Sequence, residues 1–383
     1  MAFSFIGVKK IIFGPGEIRR LGDEAESLGS RVLLVVGRSF MRRTGKLAEV
    51  ENDLRAKSLD VVVFDAVPPE PSLSAVQSGI EKLLSNGCDL VVAIGGGSAL
   101  DVGKAIAGLA RSPAPVREYF KGREVEKKGF PFIAAATTAG SGAEVTPNAV
   151  LVDEEEGVKA SIRSAYLLAD VAIVDPELTL TLPPDVTAQS GMDALCQAME
   201  AFVSRGSNPL TDALAGDAAV RLLKNLPYAH AHGDDLRVRT EVALGSLMGG
   251  MAFSNARLGL AHGMAHPLGI ATGLPHGLIC GLLLPAVMRF NMPVAEAKYA
   301  RIAEMAGIPG DGGADALVRE VERLNAVMGL HARLPELRVG KESRPTIVSQ
   351  TLPSGSTKSN PRDVSAEDIE RILESLQPSR MTP

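Results

Sequence analysis

Short apolar runs alternate with helical patterns over the first half of the chain. Five such runs occupy residues 32–36, 61–64, 90–94, 132–136 and 171–174. The first three are bounded by glycine, proline or aspartate, and all five lack the polar alternation of a half-exposed strand. Runs of this kind are typical of strands buried in a parallel sheet. Helical patterns at 72–84 and 99–109 separate them, so the pattern predicts an α/β fold with a parallel sheet.

The strand pattern stops near Pro184, and the second half carries Ala-, Leu- and Met-rich helical patterns. Helices are predicted at 186–204, 208–225, 235–253, 257–270, 277–290, 295–306, 312–327 and 366–376. The polar stretch 351–362 predicts a surface loop before the last helix. We therefore expect an α/β domain over 1–184 and an all-helical domain over 185–383. Because ligands favour domain interfaces, the cleft between the two is the expected site.

Composition narrows the class of protein. The chain has 383 residues, 22% of them charged, with a net charge of −5 and no basic block, which argues against a nucleic acid or anionic membrane partner. No apolar run reaches the roughly 18–20 residues that span a bilayer, and the first residues lack a leader pattern. The three cysteines are far apart and odd in number. They predict reduced thiols in a cytoplasmic protein.

A glycine-rich turn, Gly95-Gly96-Gly97-Ser98, follows the third predicted strand and precedes a predicted helix. Bare backbone amides at a helix start suit a phosphate group. Ser98 is expected to cap the helix, with Asp101 completing a capping-box-like pattern. A tight strand–helix turn with a good cap is the alternative interpretation. The turn is not the GxGxxG fingerprint and does not follow the first strand, so a standard dinucleotide fold is not supported.

A second run of small residues, 137–144, follows the strand predicted at 132–136. Thr137, Thr138 and Ser141 offer hydroxyl groups that suit a ribose or a pyrophosphate, although a plain loop explains the run equally well. If both runs stand at carboxyl ends of strands in one sheet, they face one crevice.

The first predicted strand ends at Gly37-Arg38-Ser39, with Arg42 and Arg43 nearby. A carboxylate at this turn would bind the ribose 2′-hydroxyl of NAD. Small and basic residues stand there instead, which favours NADP(H) over NAD(H). The alternative is a solvated basic turn.

Half of the six histidines fall within fifteen residues: His262, His266 and His276. His262 and His266 share a helix face at a spacing of four. Their small and apolar surroundings favour a metal site or a proton relay over three separate core histidines. Asp193, in an apolar helical stretch, is either an oxygen ligand or a carboxylate paired with a cation or helix N-terminus. Gln197, one turn later, is either a weak amide ligand or an ordinary helix residue.

Several long motifs in order resemble the iron-dependent (group III) alcohol dehydrogenase family. The match extends over nearly the whole chain, and it includes residues 11–16, 95–101, 137–146, 167–176, 191–194, 262–277 and 359–362. The resemblance implies a dehydroquinate synthase-like α/β dinucleotide domain, an all-helical metal and substrate domain, and homodimers or larger homo-oligomers. It also implies interconversion of a small alcohol and its aldehyde or ketone by hydride transfer.

The same resemblance implies roles for individual residues. Metal-ligand positions for Fe²⁺ or Zn²⁺ fall on Asp193, Gln197, His262 and His276, and the proton-relaying position beside the nicotinamide on His266. Pocket-lining positions fall on Asn148 and Phe253. Positions that bind the dinucleotide fall on Gly37, Arg38, Ser39, Gly95, Gly96, Gly97, Ser98, Asp101, Thr137, Thr138, Ser141 and Lys159.

Two positions depart from the family pattern. Gln197 stands where the family has a ligand histidine, and Glu70 where it often has asparagine. An amide oxygen is a poorer ligand for Fe²⁺ or Zn²⁺ than imidazole. A metal-free reductase of the maleylacetate type therefore stays an alternative, and a dehydroquinate synthase-like lyase or a non-catalytic nucleotide-binding protein ranks lower.

Overall fold

A computed structural model describes residues 2–38, 40–309 and 313–376, without the side chain of Phe40. The chain forms two compact units. One is Ile6–Leu180, and the other consists of the described residues of Met1–Phe5 and Thr181–Pro383.

The unit Ile6–Leu180 is built on a parallel sheet. Its strands are β1 (Lys10–Phe13), β2 (Arg31–Gly37), β3 (Asp60–Val67), β4 (Leu90–Gly95), β5 (Phe132–Ala136), β6 (Asn148–Asp153), β7 (Val158–Arg163) and β8 (Val171–Val174). Six of them pair in the order β1-β8-β5-β4-β2-β3, all parallel, while β6 and β7 form an antiparallel hairpin. The helices of this unit are α1 (Leu21–Glu26), α2 (Phe40–Arg43), α3 (Lys46–Ala56), α4 (Leu73–Ser85), α5 (Gly97–Leu109) and α6 (Val116–Phe120).

Both faces of the six-stranded sheet are buried. Along β2, Leu33 and Val35 join one hydrophobic cluster, whereas Val32 and Leu34 join the cluster on the opposite face. Because successive side chains of a strand point to opposite faces, burial of both faces requires an apolar residue at every position. This explains the continuous apolar runs and confirms the predicted α/β class.

The sequence pattern missed β1 and the β6–β7 hairpin. The strand β1 is four residues long and borders the sheet, and β6 alternates buried with half-buried residues. The glycine-rich turn therefore follows the fourth strand, not the third, and the Gly37 turn ends the second strand, not the first.

The other unit is helical: no strand occurs among the described residues of 181–376. Its helices are α7 (Pro184–Val203), α8 (Pro209–Ala231), α9 (Leu236–Ala256), α10 (Leu260–Thr272), α11 (His276–Ala306), α12 (Gly313–Val327), α13 (Arg344–Thr351), α14 (Gly355–Ser359) and α15 (Ala366–Ser375). The predicted helices 277–290 and 295–306 are in fact one helix, α11, which continues through Pro285 and Pro293. Buried side chains along its length hold it together despite the two missing amide donors.

The stretch 351–362 is not a simple surface loop. It contains the short helix α14 (Gly355–Ser359), and both Thr357 and Asn360 are buried. The Asn360 side chain accepts a hydrogen bond from the amide of Leu260 and exchanges hydrogen bonds with Asn291. These contacts fix the start of α10 against α11.

Among the described residues, α11 is the one helix long and apolar enough to cross a membrane. Two-thirds of its most apolar window is buried inside the protein (67%), as in the core helix of a soluble protein.

Candidate active site

Four potential metal-binding side chains converge in the helical unit. They are Asp193 on α7, His262 on α10, and His276 and Cys280 on α11, and one donor atom from each lies within 4.8 Å of the others. Asp193 Oδ1 lies 3.2 Å from His262 Nε2 and 3.8 Å from His276 Nε2. Cys280 Sγ lies 3.5 Å from His276 Nε2. All but His276 are buried. The structure thus brings together three of the predicted ligand residues and adds a cysteine.

Close approach of two helices places these donors. A Cβ atom at Gly277, in the first turn of α11, would lie only 2.2 Å from the backbone carbonyl oxygen of Gln189 on α7. The same Cβ would lie 3.2 Å from that of Asp193. Glycine at this position therefore lets the His276 end of α11 rest directly against the turn of α7 that carries Asp193.

The orientation of His262 is set by Glu200, which lies one turn beyond Gln197 on α7. Its carboxylate lies 2.7 Å from Nδ1 of His262 and accepts hydrogen bonds from the amides of Gly259 and Ala261. A carboxylate on one imidazole nitrogen fixes the ring and leaves the other nitrogen to a metal. Burial disfavours a charged imidazole, but the anionic groups around His262 raise its pKa well above the usual value.

Gln197 contacts Asp193 through a hydrogen bond from its amide nitrogen, and not through its oxygen. The Gln197 amide nitrogen donates to Asp193 Oδ2 at 3.1 Å, which leaves Oδ1 facing the two histidines. Burial alone would raise the pKa of Asp193, yet its hydrogen bond with His262 and the nearby imidazoles bring that pKa below the usual value. The carboxylate is therefore anionic at neutral pH.

The donor chemistry at this site fits a divalent transition metal. A carboxylate, two imidazoles and a thiol are ligand types of Zn²⁺, and imidazoles also suit Fe²⁺. The buried Gln197 Oε1 has no hydrogen-bond partner among the described residues, which marks an unsatisfied oxygen beside the donor set. Cys196 Sγ lies 3.8 Å from His262 Nδ1 and belongs to a second group with Glu200 and His262. Burial raises the pKa of the Cys196 thiol to about 12.

His266 lies one turn after His262 on α10, and its ring centre is 5.3 Å from that of His276. The third histidine is therefore adjacent to the donor set. Phe253, predicted to line the pocket, lies on α9 and is only 6% exposed.

In the other unit, the glycine-rich turn and the hydroxyl-rich run lie side by side because β4 and β5 are neighbours. A Cβ at Gly97 would lie 2.9 Å from Ser141 Oγ, and one at Gly96 would lie 3.5 Å from the Thr138 side chain. Thr137 follows β5 directly, and its amide donates to the carbonyl of Gly95. Glycines here keep clear the amides of the first turn of α5, as a dinucleotide phosphate requires.

The predicted cap of this helix is wrong. The N-cap residue is Gly96, without a side-chain cap, and α5 begins at Gly97. Ser98 instead donates to the carbonyl of Pro69 at 2.5 Å. Asp101 instead accepts from the amide of Val150 on β6.

At the end of β2, a Cβ on Gly37 would meet nothing within 4 Å, and Arg38 is exposed. Ser39 lies outside the described residues.

Elsewhere in the unit, Lys159 on β7 pairs with Glu70 at 2.6 Å. Glu70, which departs from the family pattern, therefore contacts a residue predicted to bind the dinucleotide. Asn148 begins β6, and its buried Oδ1 has no hydrogen-bond partner among the described residues.

A buried charged network lies beneath the glycine-rich turn. The Lys104 side chain is fully buried and donates to Thr146 Oγ1 and to the carbonyl of Asn148, 3.5 Å from Asp101. Burial raises the pKa of Asp101 and lowers that of Lys104, and each partner opposes the shift of the other. Burial also raises the pKa of Glu144 to about 6.

Comparison with known proteins decides the family. The model of iron-containing alcohol dehydrogenases matches residues 8–176, and that of the C-terminal part of the Fe-containing alcohol dehydrogenase family matches residues 187–377. The chain belongs to the iron-containing alcohol dehydrogenase family.

Relatives of this iron-containing alcohol dehydrogenase align over nearly their whole length. The 1,3-propanediol dehydrogenase of Citrobacter freundii is 37% identical, covering 97% of this chain and 98% of the relative. The NAD-dependent methanol dehydrogenase of Bacillus methanolicus is 34% identical, covering 94% and 96%. A crystal structure of 1,3-propanediol oxidoreductase superposes with a TM-score of 0.94 at 35% identity, covering 98% of this chain and 100% of that one.

This alcohol dehydrogenase is therefore an oxidoreductase acting on CH–OH groups, which interconverts alcohols with aldehydes or ketones. Neither the metal-free reductase that Gln197 kept open nor the dehydroquinate synthase-like lyase is favoured by these relatives. Sequence reasoning missed three residues that lie in or beside the candidate sites: Glu200, Lys104 and Cys280. The one available signal was spacing, since Cys280 follows His276, and Lys104 follows Asp101, by one helical turn.

Proposed function

We propose that this alcohol dehydrogenase interconverts a short-chain alcohol and its aldehyde with NADP(H) and a divalent metal ion, Fe²⁺ or Zn²⁺. The observation that carries the proposal is the convergence of one carboxylate and two imidazoles, since Asp193 Oδ1 lies 3.2 Å from His262 Nε2 and 3.8 Å from His276 Nε2. A carboxylate and two imidazoles in this arrangement are the ligand types that Zn²⁺ binds, and imidazoles also suit Fe²⁺.

When bound, the dinucleotide supplies the hydride and the metal acts as a Lewis acid toward the carbonyl group. Asp193 supplies an anionic oxygen, kept in place by Gln197. His262 is held by Glu200 so that Nε2 faces the donor set, and His276 contributes from the first residue of α11. The adjacent His266 imidazole relays the proton between the substrate oxygen and solvent, since imidazole titrates near neutral pH.

The dinucleotide binds, in this proposal, to the unit Ile6–Leu180. The amides of Gly96, Gly97 and Ser98 hold the pyrophosphate, while Thr138 and Ser141 add hydroxyl groups beside them. Asp101 lies on the same helix as the turn and ties it to β6 rather than touching the cofactor itself.

Preference for NADP(H) is proposed from the turn after β2, where Gly37 leaves open space and Arg38 is exposed. A relative is named NAD-dependent, so the preference has to be measured in this chain. Replacing Gly37 with Asp places a carboxylate beside the adenosine ribose. Like charges placed together cost several kcal/mol, so the ratio of kcat/KM for NADPH to that for NADH should fall by at least about tenfold. An unchanged ratio in Gly37→Asp, or a wild-type preference for NADH, contradicts the proposed cofactor.

The substrate class and the metal are tested together. The named relatives act on methanol and 1,3-propanediol, which supports alcohols of one to three carbons. Turnover of such alcohols and their aldehydes, with metal content measured on anaerobically prepared protein, checks both. His262→Ala and His276→Ala should each lose the metal and the activity, whereas metal and rate retained in either variant would refute its assignment. A homo-oligomeric state and a cytoplasmic location remain predictions, which size-exclusion chromatography with light scattering and cell fractionation test.

A further inference from the structure

The metal-binding cluster contains a sulfur atom that the proposed ligand set leaves unused. Cys280 lies one helical turn after His276, is fully buried, and points its Sγ to within 3.5 Å of His276 Nε2. Its sulfur also lies within 4.8 Å of the donor atoms of Asp193 and His262.

We propose that Cys280 is the fourth protein ligand of the metal. It takes the place of the ligand histidine that the family has at the position of Gln197, and the site consequently prefers Zn²⁺ to Fe²⁺. This inference rests on the proposed metal-dependent function. Thiolates favour Zn²⁺ among the metals that such a site meets, and binding to the metal displaces the thiol proton.

Three of the six donor separations are close to those around a single tetrahedral ion, and the other three are within 4.8 Å. With metal–nitrogen and metal–oxygen bonds of about 2.1 Å and a metal–sulfur bond of about 2.3 Å, tetrahedral angles put N and O about 3.4 Å apart and S and N about 3.6 Å apart. The corresponding separations here are 3.2 and 3.8 Å for Asp193 Oδ1 to the two imidazoles, and 3.5 Å for Cys280 Sγ to His276. These three separations differ from the tetrahedral values by at most about 0.4 Å.

Gln197 serves the site in another way. Its amide nitrogen, not its oxygen, faces Asp193, and the hydrogen bond to Oδ2 keeps Oδ1 toward the histidines. Gln197 is thus a positioning residue for Asp193, while the fourth donor comes from the other helix.

Cobalt(II) tests the assignment, because a thiolate bound to Co²⁺ gives a strong charge-transfer band in the near ultraviolet. Metal-free, reduced full-length protein is titrated anaerobically with Co²⁺ and then with Zn²⁺. We expect the band in the wild type and in Cys196→Ala, and we expect Cys280→Ala to lose it. Cys280→Ala should also bind Zn²⁺ at least about tenfold more weakly, because removing even an outer partner of a ligand costs at least that much affinity. The double variant Cys280→Ala/Gln197→His should regain Co²⁺ binding without the band.

Three results overturn the assignment: Co²⁺ bound to the wild type without the band, the band retained in Cys280→Ala, or the band lost in Cys196→Ala alone. X-ray absorption on the zinc-loaded wild type gives an answer that needs no variant, since a sulfur neighbour at about 2.3 Å is expected and its absence refutes the proposal. Cobalt binding without the band, but with NADPH-dependent aldehyde turnover, would refute Cys280 and spare the proposed function. The band without any turnover would support Cys280 as a ligand and refute the proposed function.

Discussion

Replacing Gly277 with alanine should separate the helices that build the proposed metal site. The added Cβ would lie 2.2 Å from the backbone carbonyl of Gln189, about 1.2 Å inside the 3.4 Å at which ordinary contact begins. A backbone atom cannot swing aside, so α11 must move away from α7. If the 3.8 Å between Asp193 Oδ1 and His276 Nε2 grows by that amount, it reaches about 5 Å. Two metal–ligand bonds span at most roughly 4.2 Å, so one donor is lost.

We expect Gly277→Ala to weaken Zn²⁺ binding at least tenfold, or ~1.4 kcal/mol, and to cost the metal-free protein about 1–3 kcal/mol through overpacking. Competition with a chromogenic chelator measures the first, and denaturant unfolding the second. Gly249→Ala, in α9, is the matched control, because its nearest neighbour would be at an ordinary 3.7 Å. That control should keep its affinity and gain up to about 1 kcal/mol of stability from helix propensity. Wild-type affinity and stability in Gly277→Ala would refute the steric argument.

Three further changes test buried groups. Glu200→Gln should lower Zn²⁺ affinity about 10- to 100-fold, because His262 loses its orienting carboxylate. Chelator competition measures this affinity, and an unchanged value would show that another group holds the His262 ring. The raised pKa of Glu144, about 6 against 4.5, favours its neutral form in the fold, so the unfolding free energy should fall by about 2 kcal/mol in total as pH rises from below 4.5 to above 6. Glu144→Gln should abolish that slope in denaturant titrations, and a slope that persists would assign it to another group. Lys104→Met should lower the free energy of unfolding by about 3–5 kcal/mol, since Asp101 then lacks its buried partner, and adding Asp101→Asn should restore part of that stability. A loss smaller than about 1 kcal/mol would contradict the pairing.

Local pattern predicted the elements whose burial is uniform. The runs that became β2 to β5 and β8 are apolar at every position because both faces of the sheet are covered. The edge strand β1 is too short to give a period. The predicted break in α11, between residues 290 and 295, contains Pro293, whose local cost is visible in the sequence, whereas the packing that offsets it is not. Pro285 lies inside the predicted helix 277–290. The pairing of His262 with His266 is also predictable, because residues four apart on one helix share a face and this spacing is visible in the sequence.

Contacts between helices were beyond such reasoning. Glu200 reaches His262 across 62 positions of sequence, and no spacing rule connects them. Cys280 was interpreted from the number of cysteines as an ordinary reduced thiol, since only the folded chain shows Asp193 and His262 arriving beside it. The acidic residue Asp101 was predicted to cap its own helix, but the nearby amide of Val150, on the hairpin that the pattern missed, binds it instead.

The carboxylate of Glu200 has a kinetic consequence. It grips the His262 ring and, through the amides of Gly259 and Ala261, the beginning of α10. His262 therefore cannot turn away from the donor set without loosening the same turn of helix. If the proposed metal is bound through His262, its departure requires local opening of α10, and its residence time then depends on how often this turn opens. We therefore expect hydrogen exchange at those two amides to follow the release of the proposed metal.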